Sequence, residues 1–417
     1  MKEDFLHFIW KHRLFDVSRL ETTTNEKVVV HQVGIHNHTS GPDFSEARLS
    51  LDDTLWAGAV EIHLKSSDWN AHQHQQDPAY NIVVLHVVFE HDQEIQTEDG
   101  RTLPTLELRG RIKASLLTQY ERLLQNKNKI PCEAHLPTVP SLPWNAWMDR
   151  LLVHRLERKS RDVRLVLDSV RGDWTQCFAT MIAAYLGGPW NKLPMMEVAR
   201  RVPVTLLARY RDAPLQREAL LLGVAGLLDA NEKSKPFRRE FIHLQKVHQL
   251  QQVRHPWKTG RLRPHQMPVH RIVQYSGMSV YFESVFNELL HQGAVDWCRV
   301  ILDRSKFWKE HVTFNDRRAS PGAISKDIQL RLAINVHTPI LFAYAESTGS
   351  EAHKSMAIEA LTRLAPESNT VIKMWTKHER KPLHAGDSQA MIELKSQFCD
   401  LKKCVNCSIG KRIIQGV

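Results

Sequence analysis

Apolar positions along this chain change rhythm near residue 111. Before it they alternate with period two, or fill short runs entirely, as in strands. After it they recur every three to four positions, as on helix faces. Residues 3–13 predict an amphipathic helix with Phe5, Phe8 and Ile9 on one face, which His12 could extend. Val28–Val33 is a β-branched run and predicts a strand; Gly34, Ser40, Gly41 and Pro42 follow as a loop. Phe44–Leu51 alternates and predicts a second strand, Asp52-Asp53 a turn, and Trp56–Lys65 a third strand. Residues 66–77 read as loop plus a short helix. Ile82–Phe89 is apolar on both faces, as in a buried central strand, and 103–109 adds a short strand. Helical periods then dominate, at 116–124, 147–167, 178–186, 219–228, 282–290 and 356–364. The expected class is α+β. A mixed sheet with flanking helices spans 1–130, a Pro-rich linker 131–145, and a larger all-α domain with a C-terminal cysteine cluster 146–417.

The strand Val60–Lys65 carries the candidate chemistry. Val60, Ile62 and Leu64 face one side; Glu61, His63 and Lys65 face the other. Asp43, in Gly41-Pro42-Asp43, adds a second carboxylate at a turn-to-strand junction. A carboxylate pair can fix Mg²⁺ or Mn²⁺ through oxygen. His63 as a further ligand tilts the preference toward Mn²⁺. Such a metal lowers the pKa of a bound water, and a nearby Lys or His orients that water or stabilises developing charge. Asp43, Glu61, His63 and Lys65 are therefore the candidate catalytic residues, and Glu3 on the first helix is a possible third acid. The plainer alternatives are a turn carboxylate for Asp43 and a solvated sheet face for Glu61 and Lys65. Ten of 23 histidines lie within the first 92 residues, among them His36, His38, His72 and His74. Asp68 is placed to cap a short helix, and Trp69 to enter the core.

Near the other end, Cys399, Cys404 and Cys407 have the spacing C-x₄-C-x₂-C, suited to Zn²⁺ or an iron–sulfur cluster. A fourth ligand is required. Cys132 is the leading candidate, with His378 or His384 as alternatives. Cys177 and Cys298 lie in apolar helical surroundings and read as core thiols.

Charge sharpens the picture. The net charge of +10 is uneven: residues 1–130 hold 14 Lys/Arg against 19 Asp/Glu, and the rest 42 against 27. An acidic part joined to a basic one suits metal on one side and a polyanion on the other. The stretch Arg254, Trp257, Lys258, Arg261, Arg263 and Arg271 interleaves cations with an aromatic, a pattern for nucleic acid, DNA above all. No 18-residue apolar stretch exists, so no membrane span is expected. Six cysteines in 417 residues argue against a disulfide framework, and a cytoplasmic location is expected.

The order helix, three strands, helical stretch, strand, with Asp43 in Gly-Pro-Asp and Glu61 in Glu-Ile-His-Leu-Lys eighteen residues on, resembles the PD-(D/E)XK nuclease superfamily over residues 1–110. That resemblance implies two metal-binding acids and a cation two positions after the second acid. Here that position holds His63, with Lys65 one pleat further. Some nucleases of that superfamily, in recombination and CRISPR adaptation, have a similar layout of one distant cysteine and three near the C-terminus. Phe5–Trp10, Ser40–Phe44, Val60–His63, Ser66–Trp69, Pro264–Arg271 and the last cysteines together also resemble a bacterial family known as a domain of unknown function. That second resemblance spans nearly the whole chain and implies a shared fold without an activity.

Overall fold

A computed structural model describes residues 1–37, 40–228, 231–319 and 322–416, without the side chain of Cys298. The protein is α+β and divides into two compact units. One comprises residues 1–147 and 394–417, the other 148–393. The cysteine-bearing last segment thus belongs with the first unit, not with the helical residues that precede it.

In the first unit, α1 (Glu3–Lys11) buries Phe5, Leu6, Phe8, Ile9 and Trp10. Leu6 and Trp10 widen the expected face of Phe5, Phe8 and Ile9, and His12 is exposed rather than part of it. Phe5 stacks on Tyr120 of α3 (Ala114–Gln125), ring centroids 4.2 Å apart, and the Trp10 indole donates to Val33 O at 3.0 Å. The sheet runs in the order β1 (Val28–Gln32), β3 (Phe44–Leu51), β4 (Thr54–Lys65), β5 (Val83–Glu90), β6 (Thr105–Glu107). The two-residue β2 (Ile35–His36) pairs with the start of β3, inside the expected loop. β1, β3 and β4 are antiparallel neighbours; β4–β5 and β5–β6 are parallel. A parallel neighbour cannot be reached by a hairpin, so the chain crosses over one sheet face between β4 and β5. That crossover contains α2 (Asp68–Ala71) and two 3₁₀ turns, His74–Gln76 and Pro78–Tyr80.

Crossover and α1 change the status of β4. Alternation suggested one core face and one solvated face, yet Glu61 is 5% exposed and His63 1%. Both faces are covered. Val83–Val88 of β5 is buried throughout, as its continuous apolar run requires.

The Pro-rich segment is not an extended linker. Glu133–Thr138 forms a 3₁₀ turn that buries Leu136, and α4 (Ser141–Ser169) starts inside the expected linker. The second unit is helical but not all-α, because His311–Thr313 and Asp316–Arg317 pair as a small hairpin. Its core centres on α5 (Trp174–Arg201) and the helices Pro214–Val224 and Pro268–Ser279. Cys177 is buried there, as expected of a core thiol. Among the described residues no helix is long and apolar enough to cross a membrane.

Candidate metal centre

Register brings the two acids together. Phe44 of β3 pairs with Val60 of β4, which sets Asp43 beside Glu61. Each backbone then serves the other's carboxylate: Asp43 N donates to Glu61 Oε2 at 2.9 Å, and Ile62 N donates to Asp43 Oδ2 at 3.0 Å. Glu61 Oε1 remains, and it faces histidines: His74 Nε2 at 3.3 Å and His63 Nε2 at 3.7 Å. His63 Nε2 lies 3.1 Å from His72 Nδ1. Ligand atoms of His63, His72 and His74 all lie within 4.8 Å of one another.

His72 and His74 come from the crossover. Gln73 between them has φ 62°, a left-handed conformation that costs a non-glycine residue roughly 1–2 kcal/mol. That turn brings both rings back over β4, and strain of this kind gathers where a site requires it. Trp69 and Tyr80 brace the ring of His74, the latter stacked at 3.8 Å between centroids.

A further histidine supports His63 from behind. His63 Nδ1 lies 2.8 Å from Nε2 of the fully buried His86 on β5. When His63 donates from Nδ1, its Nε2 lone pair faces Glu61, His72 and His74, as a metal ligand requires. The cost is a proton on His86 Nδ1, which has no hydrogen-bond partner among the described residues. A buried donor left unpaired costs about 1–3 kcal/mol, which ligand binding at His63 must offset.

Electrostatics point the same way. Burial and the charge of Asp43 push Glu61 above the usual carboxylate range. Burial alone would raise Asp43 too, but the bond from His7 and the Ile62 amide hold it below that range. His7 Nε2 is 3.1 Å from Asp43 Oδ2; burial works against its charged form, and Asp43 outweighs burial to raise it. Burial and the neighbouring His74 and His72 push His63 down to about 3, so it is neutral. Burial lifts Glu3 on α1 to about 7, with Asp43 and Glu61 adding to the rise. Three acids crowded in a half-buried cluster favour a bound cation. The donor set, imidazole nitrogens with carboxylate oxygens, fits a transition ion such as Mn²⁺ or Zn²⁺ better than Mg²⁺, which prefers an oxygen shell.

Asp43, Glu61 and His63 are thus brought together, and Glu3 lies within their field. Lys65 is not gathered in. It is exposed at the end of β4, where its charge acts on Asp92. His38 lies outside the described residues. Sequence reasoning singled out neither His7 nor His86, although both left a trace. His7 follows Glu3 by one helical turn, and His86 is the one histidine in an otherwise apolar strand.

The four cysteines expected as ligands lie in the same unit. Cys132, Cys399, Cys404 and Cys407 are buried, no disulfide joins them, and their thiols feel one another. Burial pushes Cys132 up to about 12, with Cys407 and Cys404 adding to it, and Cys399 higher still. Cys407 precedes the helix Ser408–Gln415. Burial lifts its thiol to about 11, while amide groups of Gly410 and Ile409 work toward the thiolate. Gly410 packs so closely on Cys404 that any β-carbon there would strike its carbonyl. Thiol chemistry suits a thiophilic metal, but among the described residues the group whose ligand atoms lie within 4.8 Å of one another is His63, His72 and His74, not the cysteines. His378 and His384 belong to the other unit.

The basic stretch lies in the second unit. Arg254, Lys258, Arg261 and Arg263 are exposed, but Trp257 packs on the helical core and its indole donates to Ala225 O at 2.7 Å. Its ring is committed to structure. Arg271 sits apart, on the helix Pro268–Ser279, and donates to Gln274 Oε1 at 2.8 Å.

The chain belongs to the family described as "Protein of unknown function (DUF2851)", whose sequence profile matches residues 3–370. No curated protein and no solved structure matches it.

Proposed function

We propose that this protein is a metal-dependent hydrolase of phosphodiester bonds in nucleic acid, DNA first. The observation that carries the reading is the convergence of Asp43, Glu61, His63, His72 and His74 in one cluster, with Glu61, His63 and His74 buried and His72 at the exposed rim. Glu61 and the three histidines would hold a transition ion. When bound, that ion supplies a Lewis acid and a water of lowered pKa. The helix, antiparallel strands, crossover and parallel strand follow the element order that the nuclease resemblance implies, and Glu3 stands where a third acid would come from α1. The basic group nearest the acids is His7, not Lys65: its Nε2 lies 3.1 Å from Asp43 Oδ2, placed to pass a proton to a leaving oxygen. The buried cysteines are proposed to hold Zn²⁺ or an iron–sulfur cluster with a structural role.

The test is cleavage of linear, circular and single-stranded DNA with Mn²⁺, Zn²⁺ or Mg²⁺, beside Asp43→Ala and Glu61→Ala. Cleavage is expected with Mn²⁺ and is lost by about two orders of magnitude or more in both variants. No cleavage with retained DNA binding rejects the hydrolase reading in favour of a non-catalytic nucleic-acid binder. That second reading draws on the neutral His63 and the outlying Lys65. Neither cleavage nor binding leaves a structural scaffold.

A further inference from the structure

The helical unit contains a cavity of about 810 Å³ that the proposed hydrolase chemistry does not use. It exists because α5 breaks. At Gly188 the backbone takes φ 60° and ψ −162°, and Pro189 follows. A β-carbon on Gly187 would lie 2.9 Å from Met195 Cγ and 3.0 Å from Lys192 N, so only glycine permits this break. The break leaves Trp190 65% exposed at the cavity wall. Asn191 then ties the basic stretch to that wall. Its amide donates to Lys258 O at 2.9 Å, and Lys258 N donates back at 2.8 Å. Lys258 Nζ stands 5.2 Å from the centre of the Trp190 ring.

Cations line the cavity, and among the described residues its two half-buried ones without an ion pair are Lys159 and Arg271; the exposed Lys192 has none either. Arg331 is closed by Asp327 at 3.1 Å, and Glu367 receives the Gln389 amide at 2.8 Å. Arg271 and Lys159 have no carboxylate within ion-pair distance among the described residues. Arg271 donates only to the neutral Gln274 side chain. The charges acting on Lys159 are Arg155, Arg158 and Lys192, against Asp162, and Glu393 is already taken by Arg155 and Arg158. Burial pulls both Lys159 and Arg271 below their ordinary values. Half-buried cations without counter-charge are costly, and an anion entering the cavity relieves them. The planar fork of Arg271 matches phosphate oxygens. Tyr185, Met181 and Val166 supply an aromatic and apolar wall, and the volume suits a small organic ligand rather than a bare ion.

We propose that this cavity binds a nucleoside phosphate, with the phosphate on Arg271 and Lys159 and the base against Trp190. A free nucleotide and the terminal nucleotide of a nucleic-acid strand share that chemistry. This site stands independently of the hydrolase reading.

Calorimetric titrations of the full chain in EDTA distinguish the sources and test the claim. The probes are AMP, adenosine, inorganic phosphate and a short single-stranded oligonucleotide, against the native protein, Arg271→Gln, Lys159→Gln, Trp190→Ala and Asp43→Ala. AMP is expected to bind at least tenfold more tightly than adenosine or phosphate. Arg271→Gln and Lys159→Gln should each weaken AMP tenfold or more. Trp190→Ala should weaken AMP and leave phosphate unchanged; its side chain is exposed, so folding is unaffected. Binding of the oligonucleotide without AMP, lost in the same variants, identifies a strand end as the source. No binding of either by the native protein overturns the proposal. So does binding that Arg271→Gln and Trp190→Ala leave intact, or that only Asp43→Ala removes.

Discussion

Replacing His86 by phenylalanine tests whether the ring behind His63 tunes a metal site. His86 is buried on β5 with Trp69 5.5 Å away between ring centroids, so a phenyl ring keeps the packing. The change removes the 2.8 Å bond to His63 Nδ1 and also removes the unpartnered His86 Nδ1. These two effects oppose each other, so stability measured in EDTA should change by less than about 1.5 kcal/mol. Metal binding should respond more strongly. Losing the partner that orients a ligating histidine typically costs about 10–100-fold in affinity. At a metal concentration one hundred times the native Kd, the native protein gains about 2.7 kcal/mol of stability. The variant should gain only about 1.4 to 0.4 kcal/mol, from the same relation with the weakened Kd. The assay is urea unfolding with and without Mn²⁺ or Zn²⁺, followed by far-UV circular dichroism. If the metal stabilises both proteins equally, His86 does not position His63. If it stabilises neither, the pocket is not a metal site.

Three further outcomes are expected. Cys132→Ser should remove the thiophilic metal, read by elemental analysis and visible absorption, and lower the melting temperature; an unchanged metal content would show that Cys132 is no ligand. Lys65→Ala should leave metal affinity and any cleavage within about twofold, because its exposed side chain acts on Asp92 rather than on the acids; a tenfold loss would return Lys65 to the site. Glu218 is buried, and burial lifts it to about 7, above the 4.5 of the unfolded chain. Between those values the native state binds the extra proton, so stability falls as pH rises from about 4.5 through 7. The loss amounts to about 3 kcal/mol. Glu218→Gln should flatten that slope in urea melts at pH 5 and pH 8, and equal slopes would contradict the burial argument.

Local pattern carried much of the fold and some of the site. The period-two strands, the apolar run of β5 and the early helix were legible because backbone geometry sets which side chains share a face. Asp43, Glu61 and His63 were legible as chemistry-bearing residues on predicted elements, and the cysteine triplet by its spacing. Tertiary structure decided what those residues meet. The parallel β4–β5 pairing forces a crossover over one sheet face, which turns a solvated-looking row into a buried one and returns His74 to Glu61 and His72 to His63. His86 joins because strand register sets it opposite Glu61, and His7 because α1 covers the same face. Lys65 leaves because the cover ends before β4 does. Residues 394–417 rejoin the first unit and place three cysteines in the same unit as Cys132 across more than 260 positions of chain. Periodicity is a local property that sequence carries openly; convergence depends on pairing, crossover path and packing among distant segments, which are settled only when the whole chain buries its apolar surface.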